Sequence, residues 1–202
     1  MSDSFLNREF NTNRLEALTD GVFAISMTIL VLSIEVPARN QISNQGDLLD
    51  HMFRQSYDFF SYLVSFLVIA SVWVSSIKRM HTLKKIDYSH LWMSITSLFF
   101  VTMIPFTTSL MSDYAEYEFA EILFHGNILI LQILSKVQWD HLLRNPHLVD
   151  EAISNNLDID FLKKNSVFLI VVPILGIVAS IFTPLWSNMV YVLMLLKIII
   201  RR

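Results

Sequence analysis

Apolar residues along this chain come in long blocks, separated by short polar stretches. The first block covers about 18–36 and ends at "EVP", followed by the polar stretch "ARNQISNQGD". The second covers about 57–77 and ends in "IKRMHTLKK"; the third covers about 91–111, before "SDYAEYE". The fourth covers about 119–139, and a hydrophilic stretch follows over 140–165. From Asn165 to Leu196 the chain carries no charge. That run is too long for one ordinary span of roughly 20 residues. Thr183-Pro184 supplies a break, because the residue before proline resists helical angles. The pattern therefore predicts two further helices, 166–183 and 185–200. The competing reading is one long tilted helix followed by an interfacial piece. Pro173 falls inside the fifth helix and is expected to kink it.

The blocks are longer than barrel strands and do not alternate, so the fold class is all-α integral membrane protein with six transmembrane helices. Composition agrees: 53% of residues are hydrophobic, only 16% are charged, and the mean hydropathy is +0.50. The expected domain organisation is a cytoplasmic N-terminal segment, 1–17, and a transmembrane domain, 18–200. The 140–165 stretch is read as a cytoplasmic loop carrying a short amphipathic helix. The N-terminus lacks a basic region, an apolar core and a small-residue cleavage site in succession, so the first block is read as retained. With both termini in the cytoplasm, thirteen of the fifteen Lys and Arg residues fall inside, and only Arg39 and Arg54 fall outside. That is a strong positive-inside bias. It places the protein in the cell membrane as a multi-pass protein in contact with lipid.

Candidate chemistry is sparse. There is no cysteine, which removes disulfides, thiolate catalysis and Cys-based metal sites. The net charge of -3 gives no sign of nucleic-acid binding. His51, His81, His90, His141 and His147 form no compact metal motif. His125 differs because it lies inside the fourth span, where a Tyr or Ser on another helix is its expected partner. Lys136 and Asp140, four residues apart, suit a local ion pair. The four tryptophans sit toward span ends, as interface anchors do. No nucleophile–base–acid set and no phosphate-cradling glycine loop is present, so the chain is not expected to be an enzyme and no cofactor is implied.

At 100° per residue, Ile25, Thr28, Ile29 and Leu32 share one face of the first helix. Such a stripe is ordinarily packing surface, and a threonine there often bonds its own backbone. Asp20 falls well away from that face. It either meets neighbouring helices or, if the preceding residues are not helical, caps the helix start. Glu16 and Asp20 would repel on a continuous helix, with Lys78 and Arg79 as candidate partners.

The stretch Arg14, Leu15–Ala17, Leu18-Thr19-Asp20-Gly21, Val22-Phe23-Ala24-Ile25 and Thr28 resembles the signature of the transmembrane protein 175 potassium channels. Leu18 replaces the signature's aromatic residue, and Thr19 replaces its serine but keeps the hydroxyl. "SFLVIASVW" and "HLWMSITSLFFVTMIPFTTSL" look like the family's second and third helices. Relatives often carry a histidine pair after the second-helix Trp, where this chain has Ser76 and Ile77. The resemblance implies a potassium-permeable cation channel whose first helix lines a central pore. Ile25 would form the principal apolar constriction, Ile29 and Leu32 further rings, and Thr28 a hydroxyl ring. Arg14, Thr19 and Asp20 would form a helix-packing network behind the pore, and potassium would be the permeant ion. One signature copy, where two-repeat relatives work as dimers, implies a homotetramer. A secondary transporter and a non-conducting membrane assembly protein are the alternatives.

Overall fold

A computed structural model describes residues 12–150 and 159–194, the side chains of 159–163 excepted. Most of the expected N-terminal segment, the centre of the expected 140–165 loop and the end of the expected sixth span lie outside the described residues. Regular structure among the described residues is helical, apart from isolated bridge positions at Leu83, Ile86 and Val149. The helices are α1 (Thr12–Ile29), α2 (Gln45–Arg54), α3 (Ser56–Thr82), α4 (Tyr88–Asp113), α5 (Glu118–Arg144) and α6 (Ile159–Phe182). Short 3₁₀ segments follow α1 (Leu30–Ser33), precede α2 (Arg39–Gln41), follow α5 (Pro146–Leu148) and follow α6 (Pro184–Tyr191).

Five of these helical stretches are long and apolar enough to cross a membrane: Thr12–Ser33, Ser56–Thr82, Tyr88–Asp113, Glu118–Arg144 and Lys164–Phe182. At a rise of about 1.5 Å per residue, a 27-residue helix is about 40 Å long. The hydrocarbon core is about 30 Å thick, so the ends of α3 and α5 project into the headgroup regions. The expected break falls where the sequence puts it. Helix α6 ends at Phe182, and Thr183 takes φ -144° and ψ 75° ahead of Pro184. The chain beyond it begins as a 3₁₀ segment rather than as an α-helix. Pro173 lies within α6, which runs past it.

One element has no counterpart in the hydropathy pattern. The polar stretch after the first span holds α2, started by a reciprocal cap. The Asp47 amide donates to Asn44 Oδ1 at 3.0 Å, and the Ser43 amide donates to Asp47 Oδ2 at 2.9 Å. The Asn44 bond satisfies one of the amides that a helix start leaves without an intrahelical partner, and the Asp47 side chain ties the residue before the cap to the first turn. Gln55 Nε2 then donates to the Glu35 carbonyl at 2.7 Å, joining the far end of this loop to the end of the first span.

Short connections make α3, α4 and α5 an antiparallel succession. Leu83, just after α3, bridges to Val149, just after α5. The Lys84 amide donates to the Leu148 carbonyl at 2.8 Å, and the Asp150 amide to the Thr82 carbonyl at 3.1 Å. These bonds pin the C-terminal ends of α3 and α5 together. Helix α1 packs on α3 and α4, and α6 packs on α5.

The core follows membrane rules. Small polar side chains are buried between helices, and the Thr108 hydroxyl donates to Ser65 Oγ across α4 and α3 at 2.8 Å. Large apolar side chains such as Phe99, Val178 and Phe182 face outward. Close approach through small residues and interhelical hydrogen bonds replaces the hydrophobic drive that lipid cannot supply.

Candidate functional site

Helix α1 has two unlike faces. Leu15, Thr19, Phe23 and Ser26 are buried at spacings of four, four and three, and Leu30 continues the stripe. These residues pack α1 against the bundle, with Phe23 and Leu30 sharing a cluster with Ile69, Val72, Leu98 and Ile104. The opposite face holds the sequence-predicted stripe. Ile25, Ile29 and Leu32 are 59%, 47% and 74% exposed, and Thr28 is exposed between them.

Leu32 reaches this face by a different route from the one expected. The α-helix ends at Ile29, and Leu32 sits in the 3₁₀ turn Leu30–Ser33. A 3₁₀ turn has three residues per turn, so residues three apart eclipse. Within the tightened turn Leu32 is brought toward the line of Ile29 instead of drifting around a 3.6-residue helix. Thr28 Oγ donates to the carbonyls of Ala24 at 3.0 Å and Ile25 at 2.9 Å. Its proton is therefore turned back into the helix, which leaves the oxygen lone pairs as acceptors on the exposed face.

The three residues expected to form a packing network are placed apart. Thr19 is buried, with its hydroxyl unpartnered. Asp20 is exposed and accepts from Trp73 Nε1 on α3 at 2.9 Å. Arg14 is exposed, and among the described residues no ion pair joins it to Glu16 or Asp20. Asp20 lies well inside α1, which rules out the helix-start cap. Its partner is Trp73 rather than Lys78 or Arg79, so this tryptophan bonds a neighbouring helix instead of serving only as an interface anchor. Arg79 instead turns into the bundle, where Nη1 donates to Ser75 Oγ at 3.1 Å and Ser135 Oγ at 2.9 Å.

A second polar site lies away from α1. The Tyr57 hydroxyl donates to Glu121 Oε1 at 2.6 Å, and Ser187 Oγ donates to Glu121 Oε2 at 2.8 Å. Asn188 Nδ2 donates to the Tyr57 hydroxyl at 3.0 Å. His125, expected to bond a Tyr or Ser, has both. Its Nδ1 is 2.9 Å from the Tyr191 hydroxyl and its Nε2 is 3.0 Å from Ser187 Oγ. The Ser187 proton goes to Glu121, so Nε2 carries the proton toward Ser187 and Nδ1 accepts from Tyr191. The His125 ring also stacks on Tyr191. It fills the space above Gly176 on α6, where an added Cβ would lie 2.5 Å from the ring. Ser187 and Asn188 thus hold a carboxylate and a phenol.

Sequence reasoning missed Glu121, which stands at the start of the expected fourth span and is fully buried. Other polar side chains have simple partners. Lys136 pairs with Asp140. Asp58 accepts from Ser112 Oγ at 2.6 Å. His141 Nε2 lies 2.8 Å from Asp87 Oδ2, whose other oxygen caps α4 by accepting from the His90 amide at 2.8 Å. Among the described residues no group of three His, Asp or Glu side chains is placed to hold a metal ion.

The fold and its exposed α1 face define a helical integral membrane protein in which the first helix presents an apolar stripe interrupted by one hydroxyl. Residues 14–105 match the family model described as "Endosomal/lysosomal potassium channel TMEM175". A protein of Streptomyces collinus that bears the name potassium channel is 28% identical over 146 residues, which cover 70% of this chain and 69% of that one. Another of that name, from Chamaesiphon minutus, is 30% identical over 133 residues, which cover 64% of this chain and 65% of its own length, just under two thirds. The crystal structure of a lysosomal potassium-selective channel TMEM175 homolog from Chamaesiphon minutus has a TM-score of 0.80 at 25% identity, covering 94% of this chain and 97% of that one. By sequence match and by fold, the chain is similar to members of the TMEM175 family.

Proposed function

We propose that this protein is a potassium-permeable cation channel in the cell membrane, with both termini in the cytoplasm and six transmembrane helices. Four copies assemble around an axis lined by α1. Ile25 forms the principal constriction, Ile29 and Leu32 add apolar rings toward the outer side, and Thr28 contributes a ring of hydroxyl oxygens. Thr19 and Asp20 support α1 from behind, Thr19 by burial against the bundle and Asp20 through Trp73. The observation that carries this reading is the division of α1. One face is packed into the bundle. The face carrying Ile25, Thr28, Ile29 and Leu32 remains uncovered by the chain's own helices.

The geometry suits an aliphatic gate better than a backbone filter. Rings of isoleucine and leucine stop ions by dewetting or by direct closure, and opening requires them to widen. A passing cation then meets lone pairs at Thr28, because the hydroxyl proton is occupied by the backbone carbonyls. Four such oxygens are a weak field compared with a stack of carbonyls, so the selectivity for potassium over sodium is modest.

The test is purified protein in planar bilayers under opposed potassium and sodium gradients. Single-channel currents with a reversal potential on the potassium side of zero are expected. A folded tetramer that passes no current, or moves ions only at the slow rate of a transport cycle, contradicts the reading. Near-ideal potassium selectivity contradicts the assignment of selection to Thr28.

A further inference from the structure

Behind α1, on its packed side, lies a small cavity of about 10 Å³ lined by Thr19, Ser94, Ser97, Ser135, Gln138 and the guanidinium of Arg79, with apolar residues closing the rest. That is room for one water-sized particle. Arg79 is only 4% exposed, and among the described residues no carboxylate lies within ion-pair distance of it. Its two Nη1 bonds go to neutral serines, and its Nε has no partner. The hydroxyls of Thr19 and Ser94 are also buried without partners. Three acids on adjoining helices or their caps are engaged elsewhere: Asp20 with Trp73, Asp87 with His141, Asp140 with Lys136.

A buried cation in a membrane protein requires a counter-charge, because desolvation without one is costly. Every unpartnered polar group on the residues lining this cavity is a donor or a hydroxyl free to donate. A water molecule would satisfy hydrogen bonds but leave the charge uncompensated. Sulfate, phosphate and carboxylate metabolites are too large for the space. We propose that the cavity binds one monovalent halide-sized anion, chloride being the abundant one. The ion is held by Arg79 on α3 and by the hydroxyls of Thr19 on α1, Ser94 on α4 and Ser135 on α5. It joins four helices at one point and fixes α1 from the side opposite its exposed stripe.

The test uses the full chain purified in detergent and does not depend on conduction. Crystals grown in potassium bromide are expected to show an anomalous peak within hydrogen-bonding reach of Arg79. The thermal unfolding midpoint is expected to rise by several degrees when potassium gluconate is replaced by potassium chloride at equal ionic strength. Arg79→Gln abolishes that shift and Ser135→Ala reduces it. If Arg79→Gln fails to fold, Ser135→Ala and Thr19→Val, which keep the charge, still report on the site. No anomalous peak in the cavity, or an equal chloride shift in the wild type and these variants, overturns the proposal.

Discussion

The exposed face of α1 and the buried cluster around Glu121 differ in how far one chain completes them. Around Glu121 each donor has found an acceptor: Tyr57, Ser187 and His125 form a closed set drawn from α3, α5 and the segment after α6. Low dielectric makes such a set stiff when fully satisfied and costly when one member is lost. The α1 face has the opposite character. Its three large aliphatic side chains touch little of their own chain, and its one hydroxyl bonds only its own backbone. The first region holds the fold together, and the second is left for something beyond the chain. Residues of the first should therefore govern stability, and residues of the second should govern current.

That division can be broken in order of expected effect. Glu121→Ala leaves Tyr57 and Ser187 without their acceptor and should cost about 2–3 kcal/mol, read as the loss of unfolding free energy in detergent. A neutral result would mean that the cluster is not the anchor of the C-terminal segment. Gly176→Ala pushes a methyl group into the His125 ring. Overpacking of this kind costs about 1–3 kcal/mol, and Gly176→Ala combined with His125→Ala should recover part of it. Trp73→Phe removes the bond to Asp20 and should cost about 1 kcal/mol while shifting channel opening, since it loosens the support of α1. Thr28→Val, which preserves volume, should change stability by no more than about 0.5 kcal/mol. It should nevertheless lower the potassium-to-sodium permeability ratio measured from reversal potentials. An unchanged ratio would remove Thr28 from ion selection.

Much of the fold is legible in the sequence, because lipid imposes long uninterrupted apolar runs and proline imposes a break at Thr183. The α1 stripe is legible too, since a 100° period separates Ile25 and Ile29 from Phe23 and Leu30. Other features depend on tertiary placement. Glu121 stands in "YEFAE", where nothing distinguishes an acid at the headgroups from one turned inward to Tyr57. Arg79 belongs to the run Lys78-Arg79, which the positive-inside pattern already explains, and only the neighbouring Ser135 on α5 reveals that it is buried. Helix α2 has no apolar run to announce it. Its signal was the cap, Asn44 followed three residues later by Asp47. The shift from α to 3₁₀ geometry at Leu30 has no evident sequence signal, yet it sets the position of Leu32.

Because the chain contains no cysteine, single cysteines can be introduced without a background to remove. Ile25→Cys on the α1 stripe and Val178→Cys on α6 replace side chains of similar exposure in one chain. A membrane-impermeant, positively charged methanethiosulfonate reagent reacts with thiolates in water and not with thiols in lipid. Single-channel recording during exposure to that reagent is the most direct test of the α1 assignment. Irreversible block of Ile25→Cys currents, with Val178→Cys currents unchanged, is the expected result. Currents that persist unaltered in Ile25→Cys after modification of its thiol is demonstrated, or equal block in both variants, would contradict the placement of this stripe in the ion pathway.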